Sequence, residues 1–273
     1  MKYIKKNLFI EKTKIQNIVK KFGSPIYCYS YKQLKENIKN FKKSFSSFSP
    51  LICFAVKSNS NFYLIKEIKE LGLGADVVSI GELMMAIKAG INPSKIVFSG
   101  VGKTSYEIDY AINKKILLIN VESKNEVFEI ENIAKLKKKV VNIGIRLNPN
   151  TDAKTLSQIS TGKKENKFGV NEKEFFEIIQ YCKNSKNINL KCLSVHIGSQ
   201  ILNHKPYEKM LNVIDKIIRK SNFEFEFIDL GGGMGISYQI KDKKLNYNKY
   251  SQAIRKFLKK HKSKIIFEPG RSI

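Results

Sequence analysis

With 273 residues, 42% of them hydrophobic, the chain is long enough to bury a substantial core, as one large α/β barrel or as two ordinary domains. A net charge of +26 raises nucleic acid or an anionic membrane as partner, but only four of the 50 basic residues are arginine (Arg146, Arg219, Arg255, Arg271) and the lysines spread along the whole chain. That spread argues against a nucleic-acid reader, no apolar run reaches transmembrane length, and Cys28, Cys53, Cys182 and Cys192 lack metal-ligand or CxxC spacing, so a cytoplasmic protein with reduced thiols is expected.

Residues 1–25 read as a short polar lead ending at Gly23-Ser24-Pro25, and Leu34, Ile38, Phe41 and Phe45 then follow helical spacing. After that, short β-branched or apolar runs recur at 51–56, 75–78, 95–98, 116–121, 140–147, 190–197, 225–230 and 264–268. Amphipathic stretches near 62–71, 81–89, 105–114, 123–137, 172–185, 205–221 and 247–261 lie between them. Eight strands alternating with helices predict right-handed crossovers, a parallel sheet and a closed (β/α)8 TIM-type barrel over 26–273, with an open doubly wound sheet as the competing architecture. One connection, 148–171, is long for a loop and rich in Lys, Thr, Ser and Asn, which marks it as functional rather than filler.

In a barrel the carboxyl ends of all strands meet at one mouth. There the sequence places Lys57, Asp76 with Ser79, Ser99, Asn120, Arg146, His196 with Ser199, the triplet Gly231-Gly232-Gly233, and Glu268-Pro269-Gly270-Arg271. A lysine closing a buried apolar run loses hydration that nothing apolar returns, so it is solvated at the strand end, paired or chemically used. Glycines after strand seven let backbone N–H groups approach an anion. Singly, each has a plain alternative: a strand-exit lysine, a structural histidine, a tight turn, a surface ion pair between Glu268 and Arg271. Together, an amine for an imine, a phosphate cradle, a carboxylate for a pyridine nitrogen and a flat imidazole to stack on the ring match a pyridoxal phosphate site. One histidine and scattered carboxylates give no recognisable metal triplet.

These stretches resemble the fold-type III, alanine-racemase-like pyridoxal phosphate-dependent decarboxylases, and within them the diaminopimelate decarboxylase family. The resemblance rests on Phe54-Ala55-Val56-Lys57-Ser58-Asn59, on 74–83 and 99–104, on the loop section from Ser160-Thr161-Gly162-Lys163 to Lys167-Phe168-Gly169, on His196-Ile197-Gly198-Ser199-Gln200-Ile201, on the glycine triplet and on Glu268-Pro269-Gly270-Arg271-Ser272. It implies pyridoxal 5′-phosphate carried as an imine on Lys57 and His196 stacked on its ring. Ser199, Gly233 and the backbone at Gly270-Arg271 would hold the phosphate, and Glu268 would pair with the pyridine nitrogen. Arg271 would also meet a substrate carboxylate, and Asp76 and Arg146 would lie near the imine face. The implied reaction turns meso-2,6-diaminopimelate into L-lysine and carbon dioxide, the last step of lysine biosynthesis, in a homodimer. Alternatives are another decarboxylase of this fold acting on arginine, ornithine or carboxynorspermidine, or a non-catalytic barrel that binds cofactor or a partner. The family also has a C-terminal β-domain, which residues 1–25 would join. That domain, the eighth helix and the proton-donor cysteine do not appear in this sequence, and impaired turnover is expected of it.

Overall fold

The structure, a computed structural model, describes residues 1–151, 168–239 and 244–273. These form two compact units, Met1–Lys43 with Ile273, and Ser44–Ser272.

In the first unit β1 (Lys2–Ile4), β2 (Asn7–Ile10) and β3 (Thr13–Lys14) make an antiparallel sheet, followed by α1 (Ile15–Phe22) and by α2, which begins at Tyr31. Sequence reasoning has only a polar lead here. The β1–β2 turn consists of Lys5 and Lys6, both at positive φ (43° and 63°), so it lacks the Asn-Gly signal that normally announces such a hairpin. Glu11 accepts hydrogen bonds from Ser30 Oγ (2.7 Å) and Lys32 N (2.8 Å), which ties the sheet to the start of α2.

The second unit is a closed parallel barrel, as its alternating pattern predicts. Its strands are β4 (Leu51–Ala55), β5 (Gly74–Val77), β6 (Ile96–Phe98), β7 (Leu118–Val121), β8 (Val141–Arg146), β9 (Ile188–Ser194), β10 (Phe227–Asp229) and β11 (Lys264–Phe267). Closure comes from β11 pairing with β4 in the register Ile266↔Leu51 and Phe267↔Ile52. The surrounding helices are α3 (Phe62–Glu70), α4 (Ile80–Lys88), α5 (Ser105–Lys114), α6 (Lys124–Leu136), α7 (Glu172–Asn184), α8 (Lys205–Ser221) and α9 (Tyr247–Leu258). Strand ends fall within three residues of the expected ones. Cys53, Val97, Leu118, Cys192, Phe227 and Ile266 fill one apolar layer of the interior.

Helix starts fix the mouth. Asn61, Ser79, Thr104, Ser123, Asn171 and Asn246 each accept a backbone N–H at their helix N-terminus, satisfying donors that the first turn leaves over. Glu82 and Glu126, three residues past their caps, also reach back to the N–H groups of Val78 and Glu122 at the strand exits (2.9 Å each). Glu107 and Glu174 from the following helices accept Ile80 N and Lys124 N (2.9 Å each). Carboxylates therefore rivet successive strand-to-helix corners to one another.

Candidate active site

Lys57 lies on a 3-10 turn, Val56–Ser58, directly after β4 rather than on the strand itself. The turn aims its Nζ at Asp76 Oδ2, 3.0 Å away, at the end of β5. Asp76 is wholly buried whereas the lysine side chain is 53% exposed, so the lysine is reachable and its counter-ion is not. The carboxylate of Asp76, helped by Glu268, holds the ammonium above the ordinary lysine range; burial and the Arg146 guanidinium oppose this. Asp76 Oδ1 is buried with no hydrogen-bond partner among the described residues.

His196 follows β9 instead of ending it, two residues beyond Ser194. Its Nδ1 accepts the Gly232 N–H at 3.2 Å, which fixes the tautomer with hydrogen on Nε2. Burial first, then the nearby Arg146 and Lys57 charges, push its pKa well below the usual histidine value, so the ring is neutral.

The glycine loop after β10 is a backbone surface by necessity. A Cβ on Gly232 would come 2.2 Å from Glu268 O, and one on Gly233, at φ +83°, 2.1 Å from Gly198 O. Gly231 N donates to Asp229 Oδ1 at 2.9 Å. The loops after β9 and β10 are laced together: Ile201 N donates to Gly233 O (2.9 Å) and Gly235 N to Ile201 O (3.1 Å). Gln200 clips both main-chain groups of Ile236. Tyr207 of α8, stacked on Tyr250 with ring centres 4.2 Å apart, donates its hydroxyl to Gly232 O at 3.2 Å and buttresses the loop from behind. Across the barrel seam Ala55 N donates to Pro269 O at 3.0 Å, and Gly270 packs so closely on Ser58 that a Cβ would meet its Cβ at 2.9 Å.

Lys57, Ser58, His196, Ser199, Gly232, Gly233, Glu268, Gly270 and Arg271 thus line one cavity of about 220 Å³. A larger groove of about 780 Å³ lies between α8 and α9 and contains none of these residues. Arg271 takes Tyr238 as partner, hydrogen-bonded to its hydroxyl with the guanidinium 5.9 Å from the ring centre, in place of a surface pair with Glu268. Asp76 pairs with Lys57, while Arg146 Nη1 binds Glu122 Oε1 at 2.7 Å and its guanidinium lies over Phe168 at 4.8 Å. The expected residues of the loop 148–171 from Ser160 to Lys167 lie outside the described residues.

Three contributors escape sequence reasoning. Glu122, after β7, accepts Arg146, Gly100 N (3.3 Å) and Gly169 N (2.8 Å), joining three loops. Tyr207 is one apolar position among many on α8. Asp229 sits within the apolar run 225–230, where an acid that ends a buried strand was the available signal; it accepts Asn120 Nδ2 (3.1 Å), Ser194 Oγ (3.3 Å) and the Gly231 N–H.

Chemically, the cavity offers an amine nucleophile, a neutral flat ring, a buried carboxyl group, bare glycine backbone and a guanidinium. The bare-backbone cradle, the unpartnered Asp76 oxygen and this donor set fit a phosphorylated aldehyde of an aromatic heterocycle.

Comparison with known proteins agrees. The family profile "Pyridoxal-dependent decarboxylase, pyridoxal binding domain" matches residues 31–273. A diaminopimelate decarboxylase of Aquifex aeolicus is 40% identical over all of this chain, which spans 65% of that protein. One from Helicobacter pylori strain J99 is 42% identical over 94% of the chain and 64% of its own length. The crystal structure of diaminopimelate decarboxylase from Helicobacter pylori complexed with L-lysine superposes with a TM-score of 0.91 at 41% identity, covering 94% of this chain and 66% of that one. The chain therefore spans about two thirds of the length of these relatives.

Proposed function

The chain belongs to the pyridoxal-dependent decarboxylases through their pyridoxal-binding domain, and on that premise we propose that it holds pyridoxal 5′-phosphate on Lys57 and decarboxylates meso-2,6-diaminopimelate to L-lysine and carbon dioxide. The observation that carries the cofactor assignment is the accessible Lys57 amine, held against a buried carboxylate in the same cavity as the glycine cradle. The substrate assignment draws on the diaminopimelate decarboxylases just described. The reading carries with it a cytoplasmic enzyme that works as a homodimer, with residues 26–273 as the cofactor barrel and residues 1–25 joining a further β-domain.

The cofactor supplies a conjugated ring that accepts the electron pair left when the carbon–carboxylate bond breaks. The protein's tasks are to bind, orient and manage protons. Lys57 gives up a proton to form its covalent link, and the Asp76 carboxylate, 3.0 Å away, orients the amine. Neutral His196 presents an uncharged face, so it adds no positive charge beside the ring. Ser199, the Gly232-Gly233 backbone and Gly270-Arg271 are the phosphate ligands in this reading, and Glu268 meets the pyridine nitrogen. Arg271, hydrogen-bonded to Tyr238, would also meet a substrate carboxylate in this reading, and Arg146, braced by Glu122, lies near the lysine.

The test is reduction with borohydride after incubation with pyridoxal phosphate, followed by mass mapping. A single adduct on Lys57, lost in Lys57→Ala, is the expected result; adducts scattered over the surface lysines would overturn the cofactor reading. Release of carbon dioxide from diaminopimelate in preference to ornithine and arginine is expected from the same preparation, and the opposite order would overturn the substrate.

A further inference from the structure

We propose that Asp229 is a positioning residue for Glu268: the two carboxyl groups share one proton, resident on Glu268, which Glu268 passes to the ring nitrogen of the cofactor without drawing one from solvent. The inference deepens the reading above, since it rests on Glu268 meeting that nitrogen.

The geometry starts from a polar layer in the barrel interior. Asp76, Ser99, Asn120, Ser194, Asp229 and Glu268, from six strands or their exits, are all buried. Gly144 on β8 makes room for it, because a Cβ there would lie 2.1 Å from Asn120 Oδ1. Two ionised carboxylates side by side in such a layer, with a third at Asp76, repel one another in a medium that screens them poorly. One proton between the two removes that repulsion. Hydrogen-bond donors decide where it resides. Asp229 receives three, from Asn120 Nδ2, Ser194 Oγ and Gly231 N, all between 2.9 and 3.3 Å. Among the described residues Glu268 receives one long bond, from Ser99 Oγ at 3.5 Å. Asn120 Nδ2 donates both to Asp229 Oδ2 (3.1 Å) and to Ser99 Oγ (3.3 Å), and Ser99 Oγ in turn donates to Glu268, so one hydrogen-bonded chain joins the two acids. Charge goes to the group with more donors, which makes Asp229 the carboxylate and Glu268 the acid.

The remaining groups around the pair support this. Asp76 on β5 adds negative charge and Lys57 after β4 adds positive charge at Glu268; Cys53 on β4, Cys192 on β9 and Tyr250 on α9 are neutral, with burial raising each further. Arg146 at the end of β8 is engaged by Glu122. Burial followed by the Asp229 charge drives Glu268 well above the usual carboxylate range. Proton balance is complete: the O–H bond on Glu268 breaks, an N–H bond on the ring forms, and Glu268 is left as the anion facing the new cation.

Two measurements on the full chain test this. The first is infrared spectroscopy of cofactor-free protein with carbon-13 in its glutamate carboxyls. A protonated-carboxyl band at neutral pH that shifts with the label and vanishes in Glu268→Gln is expected; its absence overturns the proposal even if no variant folds. Ser194→Ala, which removes one donor from Asp229, is expected to weaken the same band, and an unchanged band counts against the proposal. The second is nitrogen-15 resonance of the ring nitrogen in the loaded protein. Asp229→Asn is expected to lower the pH at which that nitrogen loses its proton by about one unit or more, the scale of a close like-charge effect. If Glu268→Gln moves the nitrogen and Asp229→Asn does not, Asp229 has no such role while the placement of Glu268 stands. If neither variant moves it, that placement fails as well, and the inference with it.

Discussion

Lys57 and Asp76 set a kinetic problem for the chain at the scale of single residues. Formation of a covalent link needs the neutral amine, yet the buried carboxylate keeps the lysine charged well above its ordinary value. Capture of pyridoxal phosphate is therefore expected to accelerate with rising pH throughout the neutral range. Asp76→Asn lets the lysine pKa fall, and each pH unit of that fall should speed capture at neutral pH by about tenfold, measured by stopped-flow absorbance. Glu268 makes a thermodynamic prediction. Its pKa is raised in the folded protein, so its contribution to stability is whole below the ordinary carboxylate value and is lost as pH rises toward the folded one. Glu268→Gln, a mimic of the protonated form, should therefore melt higher than the parent at pH 7 to 8. The expected gain is about 2–4 °C for each kcal/mol recovered, with little difference near pH 4. Equal melting curves at both pH values would contradict the assigned proton.

The decisive parts at the scale of elements are the loops that leave the strands. Gly233 combines a positive φ with a backbone oxygen 2.1 Å from any added Cβ, while a Cβ on Gly102 would meet nothing within 4 Å. Gly233→Ala should cost about 1–3 kcal/mol from backbone conformation alone and abolish cofactor retention, whereas Gly102→Ala should stay within about 0.5 kcal/mol by thermal melting. Glu122 is the complementary case. It is 4% exposed and joins the loops after β6, β7 and β8, so Glu122→Ala, which leaves Arg146 without its buried partner, should cost about 3 kcal/mol in denaturant titration.

What could be read in advance follows the same division. The barrel strands are legible because each is a short apolar run bounded by polar caps, and the site lysine, histidine, glycines and Glu268 stand where those runs stop. Glu122 also follows a strand, but an acid at a strand exit looks like any solvated surface group until the loops fold over it. Asp229 is hidden by its apolar neighbours. The first sheet is illegible because Lys5 and Lys6 occupy its turn, conformations that a side chain tolerates only when the strands on either side impose them.

Charge dominates expectations for the whole molecule. At +26 the chain repels itself, and moderate salt should raise its melting temperature by screening that repulsion. Polyanions should bind, but without preference: fluorescence anisotropy with unrelated oligonucleotides is expected to give equal affinities that collapse together as salt rises. A marked sequence preference would reopen nucleic acid as a functional partner.

The seam between β11 and β4 adds an order of events. The barrel's first strand waits, one edge bare, until its last strand has been synthesised and docks beside it. Lys57 leaves one side of that seam and Glu268 the other, and the Ala55–Pro269 bond crosses it. The candidate pocket thus comes into being only as the ring of strands shuts. On a ribosome, capture of the vitamin-derived ligand would mark the moment of completion, and a ligand bound solely by the finished ring would in turn hold it shut.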